Sequence, residues 1–176
     1  MIRSIAITAV VLSAMTVTAS ELNEDELKYR ADFIINSLEY VTWPDGAATD
    51  SNGAIVIGVV GDTPLLARLT TAVAEKTKDN KKVVVHHLTP DDDLAACQIL
   101  FIASDDKAVL AKVLKKVDGK PVLTMSDAEY FANFGVMVNF VRGEAEDKKK
   151  FEVNKMVLDM AKLKMSSQLL KLARII

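Results

Sequence analysis

The residues of this chain that could do chemistry are few: a histidine pair, one cysteine, a run of three acids and a glycine pair ending an apolar stretch. His86 and His87 follow three valines and read as part of a strand, on which neighbours point to opposite faces. Two such rings cannot share one ion, and the pattern predicts one buried and one in solvent. Asp91-Asp92-Asp93 carries charge for a hard cation but lacks the alternating ligands, the glycine and the closing glutamate of a calcium loop. It reads as the solvated start of a short helix. Cys97 precedes the apolar run Ile99–Ile102 and is expected to be a small buried side chain at the start of a core strand. As the only cysteine it excludes an internal disulfide, and beside two histidines it leaves no set of zinc ligands.

Gly58-Val59-Val60-Gly61 sits where a phosphate loop would sit, between a strand and a helix. It has neither the third glycine of a dinucleotide fingerprint nor the Gly-Lys-Ser/Thr ending of a P-loop, so the glycines read as turn residues. A modest anion site at the following helix N-terminus is the functional remainder. No Gly-x-Ser-x-Gly elbow is present, and Ser126-Asp127 and Ser166-Ser167 read as helix starts. No catalytic, cofactor or metal residue emerges, and the chain is not read as an enzyme.

The elements that would hold these residues follow from periodicity. Asn23 can cap a helix with Glu24, Asp25 and Glu26 in its first turn, and apolar residues at Leu27, Ala31, Ile34, Leu38 and Val41 give it one sticky face. It should end near Trp43-Pro44. Ala54–Val60 is apolar on both faces, as a covered central strand requires. Asp62 is placed to cap a helix with Pro64 in its first turn. Strands at Val83–Leu88, Gln98–Ala103 and Pro121–Met125 alternate with a helix at Asp105–Val117, and a short helix can fill part of Thr89–Cys97. Asp127–Ala132 is predicted helical. Phe134–Val141 and Lys148–Val153 suit an antiparallel hairpin whose lysines 148–150 protect a sheet edge. Asn154 can cap a helix to about Leu163, and Ser166 a final one. The fold class is therefore α/β, a single domain with a mostly parallel, mixed sheet flanked by helices, a late hairpin and C-terminal helices.

Residues 1–19 address the chain. Arg3 leads into the apolar run Ile5–Val17, too short to span a bilayer, and Val17-Thr18-Ala19 supplies the small residues of a cleavage site. A cleaved signal peptide over 1–19 and a periplasmic domain over 20–176 are expected. A net charge of −2 with no basic stripe argues against a nucleic-acid partner.

The order of segments resembles the YfiR-like periplasmic proteins. The resemblance is carried by Phe33-Ile34 through Tyr40-Val41-Thr42-Trp43-Pro44, Ile57–Asp62, Cys97–Ile102, Leu123–Asp127, Phe131, Gly135, Phe151–Asn154 and Ser166–Ala173. It implies a compact α/β domain that can self-associate, giving a possible homodimer. It also implies a non-enzymatic repressor that binds the periplasmic sensor region of an inner-membrane diguanylate cyclase. Such proteins lower cyclic di-GMP and biofilm formation, and an outer-membrane lipoprotein can draw them away. Family members often carry paired cysteines and a paired glycine before the late strand. Here Cys97 has no partner and the glycine pair appears as Gly135-Val136.

Two readings of function follow. The first is a protein-binding regulator whose candidate partner surface is Phe33, Tyr40, Trp43 and Pro44 at the exit of the first helix. The second is a periplasmic small-ligand sensor, or an accessory subunit for a sensor kinase or other membrane receptor. Its candidate crevice lies at the carboxyl ends of parallel strands, at Gly61-Asp62, Ser104-Asp105 and Ser126-Asp127.

Overall fold

Apolar residues on both faces of four successive strands demand helices above and below, and a computed structural model shows that arrangement. It describes residues 24–76, 82–141 and 150–176. The expected signal peptide, the cap at Asn23 and the hairpin turn with Lys148 and Lys149 lie outside those residues.

In chain order the elements are α1 (Glu24–Tyr40), β1 (Val41–Thr42), β2 (Ala54–Val60), α2 (Leu65–Lys76), β3 (Lys82–Leu88), β4 (Ile99–Ile102), α3 (Lys107–Val117), β5 (Leu123–Ser126), β6 (Val138–Phe140), β7 (Phe151–Val153), α4 (Lys155–Met160), β8 (Lys164–Met165), α5 (Ser167–Leu172) and β9 (Arg174–Ile175). A short 3-10 turn at Leu94–Ala96 lies in the crossover from β3 to β4. The main sheet runs β3-β2-β4-β5-β6-β7-β9. Its neighbours are parallel except β6 and β7, which form the expected antiparallel pair with Val138 opposite Val153.

The pleat sorts the core into two layers. Ile57, Val59, Ile99, Phe101, Leu123 and Met125 face α1, α2, α4 and α5. Val60, Leu100 and Ile102 face α3 and the segment holding Ala128 and Phe131. Gly58 lies on this second face because a Cβ there would come within 2.7 Å of Leu88 Cδ1 and 2.8 Å of Cys97 Sγ. Helix starts follow the capping rule at three places: Asp106 accepts from Ala108 N–H, Asn154 from Val157 N–H and Ser166 from Leu169 N–H.

Several expectations are corrected. α1 stops at Tyr40 because Val41 and Thr42 leave it to pair with Met165 and Lys164 of β8. Thr63, not Asp62, caps α2, its hydroxyl accepting from Leu65 N–H at 3.2 Å. Asp127–Ala132 is a series of turns rather than a helix. Tyr130 takes a left-handed φ of 64°, and the carbonyl of Ala128 accepts from Asn139 Nδ2. α4 ends at Met160, with Lys162 left-handed at φ 59° and Leu163 N–H returning to the Leu158 carbonyl. The hairpin arms are shorter than their apolar runs.

Candidate functional site

Because β2, β4 and β5 are adjacent and parallel, the three turns that leave them lie side by side. Val60 is level with Ile102, and Ile102 with Ser126. Gly61-Asp62, Ser104-Asp105 and Ser126-Asp127 thus meet at one edge of the sheet, as a crevice would need. Their side chains, however, are largely directed at the protein itself. Ser126 Oγ, fully buried, donates to the Ile102 carbonyl at 2.8 Å and accepts from Ala128 N–H. Ser104 Oγ accepts from Asp106 N–H at 3.2 Å, and Asp105 is exposed. Asp62 stands in solvent with Oδ1 3.4 Å from His87 Nε2. Gly61 is pinned at φ +95°, where a Cβ would fall 2.6 Å from the Ala103 carbonyl oxygen.

Asp127 carries the most consequential contact of this edge. It is buried and accepts a hydrogen bond from Arg30 Nη1, forming an ion pair across 97 residues of sequence. Arg30 is only 2% exposed, and its guanidinium carbon stands 5.7 Å from the centre of the Phe140 ring. Two charges withdrawn from water are tolerable only when paired and hydrogen-bonded. The pair therefore ties α1 to the exit of β5. Sequence reasoning missed Arg30, although the signal was present: it follows Leu27 by three residues, on the stripe that α1 buries.

The exit of α1 divides the four residues of the expected partner surface. Phe33 is 9% exposed and belongs to the core, its ring 5.1 Å from Phe140 and 4.6 Å from Phe151, both edge-on. It is withdrawn from any docking face of the folded chain. Tyr40 is 39% exposed, while Trp43 and Pro44 are half-buried. Trp43 packs on the main core, and its indole N–H, though buried, has no acceptor among the described residues. Beside it opens a cavity of about 420 Å³ bordered by Leu38, Val41, Thr49, Ile55 and Lys82.

The remaining chemical candidates resolve as follows. His86 and His87 are both exposed, which corrects the expectation of one buried ring: β3 is the last strand of the sheet and its C-terminal end is uncovered. Asp91 pairs with Lys112 at 2.7 Å, and Asp92 accepts from the Thr89 backbone and hydroxyl. These contacts hold both carboxyls below the ordinary range. Cys97 is buried as expected, and burial pushes its thiol up from 9.0 to about 11, with the nearby charge of Asp93 adding to the shift. A thiol held neutral in the fold but free to ionise when unfolded stabilises the protein fully below pH 9, and that contribution fades as pH rises toward 11. Chemical denaturation from pH 8 to 11 is expected to show a loss of about 2 kcal/mol from this thiol, a part of the pH dependence that Cys97→Ala removes. A thiol reagent at pH 8 should label the folded chain far more slowly than the unfolded one.

These features define a three-layered α/β domain with a buried charge pair and no constellation of nucleophile, base and oxyanion donors among the residues discussed. The chain matches the YfiR/HmsC-like family over residues 27–174, and it belongs to that family. The match spans every element from the first turn of α1 to the first residue of β9. No curated protein matches the chain.

Proposed function

We propose that this chain is a non-enzymatic periplasmic regulator. It binds the periplasmic sensor region of an inner-membrane diguanylate cyclase and holds that enzyme inactive, which lowers cyclic di-GMP and biofilm formation. An outer-membrane lipoprotein is the proposed agent that draws it away. The observation that carries this reading is the family match from residue 27 to residue 174. The export signal read in residues 1–19 supports the compartment, and no helix among the described residues is long and apolar enough to cross a membrane. The chemistry required is recognition alone, and for that the exposed Tyr40 and the cavity lined by half-buried Trp43 are suited.

Tyr40, together with Trp43 and Pro44, is the proposed contact. Tyr40→Asp places a charge on that face without touching the core. It should leave the melting temperature nearly unchanged while weakening the complex on the order of 30-fold, the effect of losing one strong interface anchor. In cells the variant should raise cyclic di-GMP and surface attachment toward the level of a deletion strain. A Tyr40→Asp strain that matches wild type in both would remove this face from the contact. A deletion strain with unchanged cyclic di-GMP would remove the function itself.

A further inference from the structure

Positive charge and exposed apolar surface are gathered at the same end of this chain. The whole sequence is acidic, with a net charge of −2, yet residues 155–176 carry Lys155, Lys162, Lys164, Lys171 and Arg174 against Asp159 alone. Among the described residues, every exposed large apolar side chain that is not aromatic falls in that stretch: Met156, Met160, Leu172, Ile175 and Ile176. Met156 and Met160 stand one turn apart on α4, so they share a face, and each is 69% exposed. Asp159, the acid of this helix, is paired with Lys155 at 2.6 Å. Beside Met160 opens a cavity of about 270 Å³ lined by Leu114, Val117, Met137 and Val157, with exposed Asp118 and Lys120 also bordering it. Lys162, two residues beyond Met160, is exposed and held at a left-handed φ of 59°. Glycine takes that conformation at no steric cost, so a lysine there keeps a charge at the end of α4 against the preference of its backbone.

We propose that this face docks on an anionic phospholipid surface, with Met156 and Met160 entering the boundary between headgroups and acyl chains and Lys120 and Lys162 set against phosphates. A surface that presents flexible apolar side chains beside lysines gains twice there, from burial of the one and from attraction of the other to negative headgroups. The contact is peripheral, since α4 is six residues long and no described helix is long and apolar enough to cross a bilayer. An acidic face of a partner protein fits less well. Residues 155–176 hold no aromatic anchor, and lysine, their chief charge, is depleted where proteins bury one another. Docking of this kind concentrates the regulator at the membrane of its proposed target, while the contact itself needs no protein.

Co-sedimentation with lipid vesicles tests it, using residues 20–176 so that the apolar run Ile5–Val17 contributes nothing. The protein should bind vesicles of mixed phosphatidylglycerol and phosphatidylcholine, come off as salt is raised, and bind phosphatidylcholine alone about tenfold more weakly or less. Met156→Ser/Met160→Ser changes two exposed side chains, so it should leave the melting temperature nearly unchanged and weaken binding on the order of tenfold. Lys162→Gly separates charge from folding: it should not lower the melting temperature, because glycine relieves the backbone, yet it should weaken binding about fivefold. Lys120→Gln should have a similar effect on binding. Should the double serine variant fail to fold, the two lysine variants decide. Absent binding, equal binding to both lipid compositions, or binding that all the variants leave intact overturns the proposal. So does a wild type that ignores vesicles while these variants lose a complex with the cyclase, which assigns the face to a protein. Because the vesicles carry no protein, a failure here leaves the proposed regulation of a cyclase standing.

Discussion

Arg30→Met is expected to destabilise the fold by about 3–5 kcal/mol, because it leaves the Asp127 carboxylate buried with its main cationic partner gone. For a domain of this size the melting temperature should fall by roughly 10 °C. Asp127→Leu should cost a similar amount by removing the carboxylate that pairs with the buried guanidinium. The double variant Arg30→Met/Asp127→Leu should recover much of the loss, since replacing both charges with apolar groups removes the desolvation penalty with the pairing. Thermal denaturation of the four proteins closes the cycle. If each single variant costs less than about 1 kcal/mol, the pair behaves as a surface salt bridge and its role in fixing α1 to the β5 exit is refuted.

Gly61→Ala is expected to cost about 2–4 kcal/mol, an amount out of scale for a single methyl group. Two causes add. A φ of +95° is strained for any residue with a Cβ, and the methyl would fall 2.6 Å from the Ala103 carbonyl oxygen. That carbonyl cannot yield cheaply, because the Ala103 N–H is held by the Val60 carbonyl at 2.8 Å at the end of the adjoining strand pair. Gly46→Ala is the control. Gly46 has a φ of +78° with nothing within 4 Å of the added atom, so only the backbone term of about 1 kcal/mol should appear. Equal losses at the two positions, measured by urea denaturation, would remove the close approach at Gly61 from the explanation.

Much of the fold was legible in residue order because its determinants are local. The doubly apolar Ala54–Val60 requires cover on both sides, and the structure provides it. Alternation with helices made β2 to β5 parallel, and the caps at Asn154 and Ser166 are where their side-chain chemistry put them. What escaped the sequence depends on distant neighbours. β1, β8 and β9 are two residues each, too short for any periodicity, and exist only because a remote strand lies alongside. The turns after β5 follow from Tyr130 in a left-handed conformation that its residue type does not favour, and from captures by Arg30 and Asn139. The histidines were misplaced for a related reason: strand alternation assigns faces, whereas exposure depends on whether the strand lies inside the sheet or at its rim.

The same distinction governs the candidate surface. Helical spacing placed Phe33 and Tyr40 near one helix end, but only the packing of β6 and β7 decides that Phe33 joins their phenylalanines while Tyr40 stays in solvent. The three turns of the candidate crevice lie at one edge because β2, β4 and β5 are adjacent and parallel. Their inward hydrogen bonds came from the backbone of neighbouring strands and from α1, which spacing along the chain does not encode.

The most direct test is enzymatic, with the proposed target as the reporter. A full-length membrane diguanylate cyclase is reconstituted in vesicles with its sensor region outward. Its conversion of GTP to cyclic di-GMP, with GTP supplied inside, is followed as the protein is added outside. Turnover should fall with added protein to a plateau set by one binding equilibrium, and Tyr40→Asp should shift that curve to higher concentration. Turnover that stays constant for every such cyclase, with no complex formed, would contradict regulation by docking.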